Sequence, residues 1–152
     1  MCLMTNPEYE REKNKLVRLN SNDYSILAED LIVLNDKHGR PAQYVRQYIH
    51  LASEARKFGL DGLVIGTTAH IQDNEIERAR VYAGEEMLVL LPGIGEQGGE
   101  ASSIWKYFGR NKVIANVGRD LMFPNGSNST PEQQAERAKY YMEMLNELRK
   151  TA

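Results

Sequence analysis

After residue 59, short apolar runs alternate regularly with stretches whose apolar side chains recur at helical spacing. Apolar runs of this length are typical of buried strands, and the 3.6-residue spacing is typical of helices with one buried face. A cap-like Thr130, Pro131 and Gln133 mark the start of a final helix. The predicted strands cover residues 60–65, 87–91 and 112–117, and the predicted helices cover residues 73–83, 101–108 and the segment from 130 onward.

The pattern before residue 59 is less regular. Residues 1–5 predict a short strand. Residues 8–19 are charged and helix-prone, and the charge cluster over residues 8–15 is typical of a solvated helix face. The apolar stretch over 24–35 fits either a helix or a strand. Pro41 suits the first turn of a helix, and the apolar spacing after it predicts a helix over residues 42–58.

Strand–helix alternation predicts parallel strands, because parallel neighbours need a crossover connection that is usually a helix. We count three βα units and a fragmentary fourth at the amino terminus. A complete (β/α)8 barrel typically needs about 250 residues and rarely fewer than about 200, whereas this chain has 152. The predicted fold is therefore α/β: a partial (β/α)8 (TIM) barrel, about half a barrel with parallel strands, in a single domain over residues 1–152.

Two consecutive predicted strands end in glycine-containing motifs. The first runs into Pro92-Gly-Ile-Gly-Glu-Gln-Gly-Gly99, and the second ends in Val117-Gly-Arg119. Glycine lets backbone N–H groups approach an anion closely, and arginine binds phosphate with two N–H groups. Ligands of α/β folds bind at the carboxyl ends of the strands. The two motifs therefore predict a phosphate site like that made by the last two loops of a (β/α)8 barrel.

The first of these loops differs from the common nucleotide-binding loops. No Gly-Lys-Ser/Thr follows it, as a Walker loop would require, and no Gly-x-Gly-x-x-Gly opens a helix, as in a dinucleotide fold. The alternative to a phosphate site is a loop whose glycines only make it flexible.

Composition narrows the classes of partner. The chain has 19 basic and 21 acidic side chains, a net charge of −2, which gives no reason to expect nucleic acid or a membrane surface as a partner. The single cysteine, Cys2, excludes an intrachain disulfide and fits a reducing, cytoplasmic compartment. The histidines at 38, 50 and 70 lack the paired spacing of a metal site, so no metal is expected. Among the three histidines, only His70 is a candidate ligand contact, because it follows a predicted strand.

The strand-end motifs resemble those of the orotidine 5′-phosphate decarboxylase family. Residues 91–99 and 116–121 resemble the ends of that family's seventh and eighth strands. Residues 59–66 resemble its sixth strand, and Met4-Thr-Asn-Pro7 resembles the end of its fifth. The resemblance therefore implies the carboxyl-terminal half of the barrel, with strands 5–8, and it implies no metal or organic cofactor.

The resemblance is good over residues 59–123 and weak over residues 8–40. That family passes quickly from its fifth strand into the following helix. Residues 8–40 are therefore expected to be an insertion between the first strand of this chain and its helix.

The resemblance implies that the phosphate of a nucleoside monophosphate, orotidylate or uridylate, binds at the two glycine-containing loops. Gln97 would contact the phosphate and could reach the pyrimidine. The Gly118 N–H and the Arg119 guanidinium would bind the phosphate, which is also what a dianion requires chemically.

The resemblance assigns three further residues to the rest of the ligand. Pro92 and Ile94 would form part of an apolar wall, and Thr5 would hydrogen-bond the base. No residue of this chain is expected to be catalytic, because the family's Lys and Asp network centres on an Asp-x-Lys-x-x-Asp motif. That motif is absent from these 152 residues.

Three functions follow as hypotheses. In the first, the chain supplies the nucleotide-binding part of a decarboxylase that converts orotidylate to uridylate and CO2. It is inactive alone, and a homodimer or an amino-terminal half-barrel completes it. In the second, it is a non-catalytic nucleotide-phosphate-binding or assembly module. In the third, it belongs to another phosphate-binding barrel, such as a sugar-phosphate decarboxylase or epimerase. The glutamine in the first loop favours the first hypothesis over the third.

Overall fold

Two small sheets of different kinds organise the chain. The computed structural model describes residues 2–20, 25–94 and 101–151. The strands are β1 Leu16–Arg18, β2 Ile32–Asn35, β3 Pro41–Arg46, β4 Gly62–Val64, β5 Leu88–Leu91, β6 Val113–Ala115 and β7 Pro124–Ser127. The helices are α1 Tyr9–Lys13, α2 Gln47–Lys57, α3 Asp73–Ala83, α4 Ser102–Phe108, α5 Arg119–Met122 and α6 Pro131–Thr151, with a 3-10 turn at Ala28–Asp30.

The sheet nearer the carboxyl terminus is parallel, with the order β4-β5-β6. Helix α3 follows β4, α4 follows β5, and the predicted final helix α6 follows β6 after the short elements α5 and β7, which the sequence did not predict. The three predicted βα units are therefore confirmed. The fragmentary fourth unit is present as Leu3, which makes a parallel bridge with Ile65. The Gly66 N–H donates to the Leu3 carbonyl at 2.7 Å, which holds the amino-terminal segment against the edge of β4.

One face of the parallel sheet is buried under the helices. Successive side chains of a strand point to opposite faces, so alternate residues share an environment. On the covered face, Leu63, Ile65, Val89 and Leu91 are all buried. They join side chains of the helices in one hydrophobic cluster that includes Ile76 of α3, Ile104, Trp105 and Phe108 of α4, and Tyr141 of α6.

The other face of the same sheet is apolar and open. Val64, Leu90 and Ile114 are paired in register across β4, β5 and β6. Leu90 is 38% exposed and Ile114 is 56% exposed. In a closed (β/α)8 barrel this face would point inward and be filled by layers of side chains from alternate strands. We call the row Val64–Leu90–Ile114 the open face.

The first sheet is antiparallel, with the order β1-β3-β2, and it corrects one prediction. The helix predicted over residues 42–58 begins only at Gln47, because Pro41–Arg46 forms the central strand. Asp36 explains the difference: its carboxylate accepts N–H bonds from His38 at 2.8 Å and Arg40 at 3.0 Å, and so closes a β2–β3 hairpin. Pro41 is tolerated because it is the first residue of its strand.

The remaining amino-terminal predictions are only partly correct. The helix-prone stretch 8–19 yields the short α1, and the chain then enters β1. The ambiguous stretch 24–35, where described, becomes the 3-10 turn followed by β2. The antiparallel sheet lies between Leu3 and α2 along the chain, and its strands β1 and β3 contact α2. Treating residues 8–40 as an insertion remains a prediction.

The final helix begins where the sequence predicts. The Thr130 N–H donates to Gln133 Oε1 at 2.9 Å, and the Gln133 N–H donates to Thr130 Oγ1 at 3.4 Å. This reciprocal capping satisfies two backbone groups that the first helical turn leaves unpaired. Across residues 2–20, 25–94 and 101–151, no helix has the length and apolar character needed to cross a bilayer.

Candidate functional site

A pocket of about 180 Å³ lies at the carboxyl ends of the parallel strands. It brings together five of the six predicted site residues, which come from three separate segments. Gln97, the sixth, lies outside the described residues. The pocket is lined by Thr5, Pro92, Gly93, Ile94, Asn116, Gly118, Arg119 and Asp120.

Its position in the fold distinguishes this pocket from larger ones. A pocket of about 520 Å³ is lined by residues 59–61, 83–88, Arg56 and Lys112, at the amino ends of the same strands. Ligands of parallel α/β sheets bind at the carboxyl ends, where the loops that follow the strands converge. The smaller pocket is therefore the candidate site.

The loop after β5 supplies the apolar side of the pocket. Gly93 has φ of 84°, a left-handed conformation that lets the chain turn sharply after Pro92. Ile94 is only 6% exposed, because it joins the hydrophobic cluster beneath the sheet ends. Pro92 and Ile94 can thus offer a fixed apolar surface to a ligand.

The segment after β6 supplies the polar side. Gly118 precedes α5, and Arg119 is the first residue of that short helix. Both residues are exposed, and both line the pocket. A guanidinium beside an accessible glycine backbone is suited to a phosphate dianion.

Asp120 also lines this pocket, and helix α6 determines its environment. Its carboxylate accepts bonds from Arg137 Nε at 2.9 Å and Arg137 Nη2 at 2.6 Å, and from the Tyr141 hydroxyl. These bonds, first from Tyr141 and then from Arg137, lower the pKa of Asp120 below its usual value. The pocket therefore contains an ionised carboxylate whose charge is balanced by α6.

A side-chain network from the β4–α3 connection holds the Thr5 segment in place. Thr68 Oγ1 lies 3.3 Å from the Thr5 carbonyl, and His70 Nε2 lies 3.0 Å from the Met4 carbonyl. Thr68 Oγ1 and His70 Nδ1 are 3.1 Å apart. His70, a candidate ligand contact from its sequence position, thus uses both ring nitrogens on protein atoms and serves to position the segment that carries Thr5.

A buried ion pair supports the same segment, and sequence reasoning missed it. Lys13 Nζ lies 2.5 Å from Glu75 Oε2, with the two side chains 4% and 5% exposed, and Lys13 also donates to the His70 carbonyl. Glu75 accepts the Gln72 N–H at 3.0 Å and so caps α3. Lys13 belongs to the stretch expected to be a solvated helix face, so that expectation was wrong for this residue. Tyr9, one turn earlier in α1, is buried on the same side, and the ion pair with the distant Glu75 explains how the charged Lys13 can be buried there too.

Cys2 is also deeply buried. Its thiol donates to the Tyr48 carbonyl at 3.3 Å, and burial raises the pKa of Cys2 to about 12. A thiol in this state is an unreactive packing group. Within the described residues, no group of three or more His, Cys, Asp or Glu side chains could hold a metal ion.

Curated proteins similar in sequence are orotidine 5′-phosphate decarboxylases. The protein of that name from Bordetella petrii is 30% identical, over 79% of this chain and 44% of its own length. The Bordetella avium protein of the same name is 28% identical, over 67% of this chain and 39% of its own length. The chain thus spans less than half the length of the curated relatives it matches. It matches no protein-family model.

Solved structures show the same fold. The UMP synthase of Leishmania donovani superimposes with a TM-score of 0.61, covering 97% of this chain and 27% of that one, at 20% identity. A Toxoplasma gondii protein described as an orotidine-monophosphate decarboxylase gives 0.64, covering 99% of this chain and 49% of that one, at 17% identity. The predicted resemblance to orotidine 5′-phosphate decarboxylases and the partial (β/α)8 barrel are therefore both confirmed.

The close approach of Gly66 to Thr5 generates a prediction. A Cβ on Gly66 would overlap Thr5 Cγ2 and lie 3.3 Å from the Thr5 nitrogen. Gly66→Ala should therefore lower the free energy of unfolding by about 1–3 kcal/mol, the usual cost of overpacking. Thr5→Ser removes Cγ2, so Gly66→Ala should cost much less in that background. Urea unfolding of the four proteins measures this coupling, and an equal cost in both backgrounds would show that the two residues are not packed as described.

Proposed function

We propose that this chain supplies the phosphate- and nucleotide-binding part of an active site like that of orotidine 5′-phosphate decarboxylase. Its ligand is a nucleoside monophosphate, orotidylate or uridylate. The single observation that supports this most is the convergence of Thr5, Pro92, Ile94, Gly118 and Arg119 on one pocket at the carboxyl ends of the parallel strands. Those residues come from the motifs that resemble the family, and the similar curated proteins carry that name.

In this proposal, the polar and apolar sides of the pocket bind different parts of the nucleotide. Arg119 and the Gly118 N–H bind the phosphate, through charge-assisted and backbone hydrogen bonds. Gln97 contacts the phosphate from the preceding loop. Ile94 and Pro92 pack against the pyrimidine end, where Thr5 hydrogen-bonds the base.

We further propose that the chain binds nucleotide without catalysing decarboxylation by itself. Uniform binding of a substrate's phosphate does not by itself lower the barrier to chemistry at its other end. The family's Asp-x-Lys-x-x-Asp motif is absent from the 152 residues. The open face and the two sheet edges are suited to a partner that completes the barrel. That partner is an amino-terminal half-barrel or a second copy of the chain, and the compartment is cytoplasmic.

The second candidate function, a non-catalytic nucleotide-binding or assembly module, uses the same pocket. The missing motif is the observation that favours it. Adding the partner that completes the barrel should restore decarboxylation of orotidylate under the first function and should not under the second.

The purified chain alone should not consume orotidylate. The physical reason is that it positions the phosphate but supplies no lysine and aspartate network to carry the proton and the charge of the reaction. The absorbance of orotidylate, followed with the full chain and with the Bordetella petrii decarboxylase as the active control, measures this. Consumption of orotidylate by the chain at an ordinary enzymatic rate would contradict the proposal, because it would show that residues of this chain catalyse the decarboxylation.

Arg119→Ala should weaken uridylate binding roughly ten- to a hundred-fold, since losing a charge-assisted contact costs about 1.5–3 kcal/mol. Isothermal titration calorimetry measures the change. Arg110→Ala is the matched control: Arg110 is an exposed arginine before β6, at the other end of the strand, and donates to the Lys150 carbonyl. Equal affinity in wild type and Arg119→Ala would show that Arg119 does not bind the phosphate. Equal losses of affinity in Arg119→Ala and Arg110→Ala would show that only the net charge of the protein matters.

A further inference from the structure

We propose that Asp120, Arg137 and Tyr141 act together as a positioning cluster that keeps the phosphate pocket receptive to an anion. The proposal rests on the proposed function, because it concerns the same pocket. Arg137 is the central member: it balances a carboxylate that would otherwise repel the ligand. None of the three is a catalytic residue.

The first step in the argument is geometric. Asp120 lines the pocket and follows Arg119 directly in α5. Both the Nε and Nη2 groups of Arg137 donate to the same oxygen of Asp120, and the Tyr141 hydroxyl donates to that oxygen too. The first turn of α5 is therefore tied to α6 by three hydrogen bonds.

A second contact ties the other end of α5 to the same helix. Gln134 Nε2 donates to the Met122 carbonyl at 2.7 Å. Helix α5 has only four residues and cannot hold its own conformation by internal bonds. Helix α6 has 21 residues and packs its buried Tyr141 into the hydrophobic cluster. The long helix thus fixes the short one, and with it the residues Gly118 and Arg119 at the pocket.

The next step is electrostatic. An ionised carboxylate near a bound phosphate lowers affinity for that phosphate, because like charges repel. Asp120 stays ionised, since the bonds from Tyr141 and Arg137 lower its pKa. Arg137 compensates the charge, and its guanidinium lies 5.0 Å from the Tyr140 ring centroid and 5.3 Å from that of Tyr141. Two aromatic rings therefore hold the compensating cation in position.

This arrangement makes a charge-specific prediction. Removing Arg137 leaves the Asp120 charge uncompensated beside the ligand, so affinity should fall. Neutralising Asp120 in the same protein removes the repulsion, so affinity should recover. A cluster that only stabilised the fold would show no such recovery, because the double variant retains none of the charge-assisted bonds of the pair.

The test is calorimetric titration of the full chain with uridylate. Arg137→Gln should weaken binding roughly tenfold. Asp120→Asn alone should weaken it by less than about threefold, because asparagine keeps an oxygen that can accept the Arg137 and Tyr141 bonds and loses only the charge. The double variant Arg137→Gln/Asp120→Asn should return to within about threefold of Asp120→Asn. Lys139→Gln is the matched control, because Lys139 is an exposed cation on the same helix, 3.9 Å from Glu143. It should bind as wild type does.

Tyr141→Phe provides a second variant that keeps the buried ring and removes only the hydroxyl. It should fold as wild type does and bind uridylate more weakly, about two- to fivefold, because the Asp120 carboxylate loses one of its donors. Urea unfolding of every variant is measured alongside, so that a loss of binding can be separated from a loss of folded protein.

The outcomes separate this inference from the proposed function. If wild type binds uridylate and Arg137→Gln binds equally well, or if the double variant binds no better than Arg137→Gln, the cluster has no electrostatic role and the inference is overturned. If folded wild type does not bind uridylate at all, the phosphate site itself is wrong, and the inference fails together with it.

Discussion

The structure depends on one constraint: a parallel sheet needs cover on both faces, and the residues that the structure describes cover only one face of this sheet. Helices α3 and α4 bury the side that carries Leu63, Val89 and Leu91. The opposite side presents Val64, Leu90 and Ile114 in a single row. The strands all run in the same direction, so their carboxyl ends meet at one edge, and the candidate pocket lies there. The same parallel sheet thus forms the site at one edge and leaves one apolar face exposed.

The pocket is assembled by contacts between residues far apart in sequence. Thr5 reaches it because Gly66 has no side chain to exclude it, and because Thr68 and His70 bond to the neighbouring backbone. The buried Lys13–Glu75 pair joins the helix after Thr5 to the start of α3. Breaking a buried pair by removing one partner typically costs about 3–5 kcal/mol. The amino-terminal segment is therefore part of the site's framework, although it pairs with the parallel sheet only at Cys2 and Leu3.

The sequence predicts the part of the fold in which local patterns and tertiary packing agree. Strands β4, β5 and β6 are short apolar runs between helical stretches, and their alternation alone implies a parallel sheet. Pro41–Arg46 was misassigned because an apolar residue every few positions fits a helix as well as a strand. Only the hairpin closed by Asp36 resolves the ambiguity. The partners of Lys13 and Asp120 could not be predicted, because they are distant in sequence. Glu75 lies 62 residues after Lys13, and Arg137 lies 17 residues after Asp120.

Sedimentation equilibrium of the full chain over a wide concentration range tests the central claim, that this is an open part of a barrel. The open face should drive association, so the wild type should show a mass above 17.3 kDa that rises with concentration. Ile114→Glu places a charge on that face, at its most exposed residue, and should shift the protein toward the monomer. A wild-type monomer at 17.3 kDa throughout the range, unchanged by Ile114→Glu, would contradict the account.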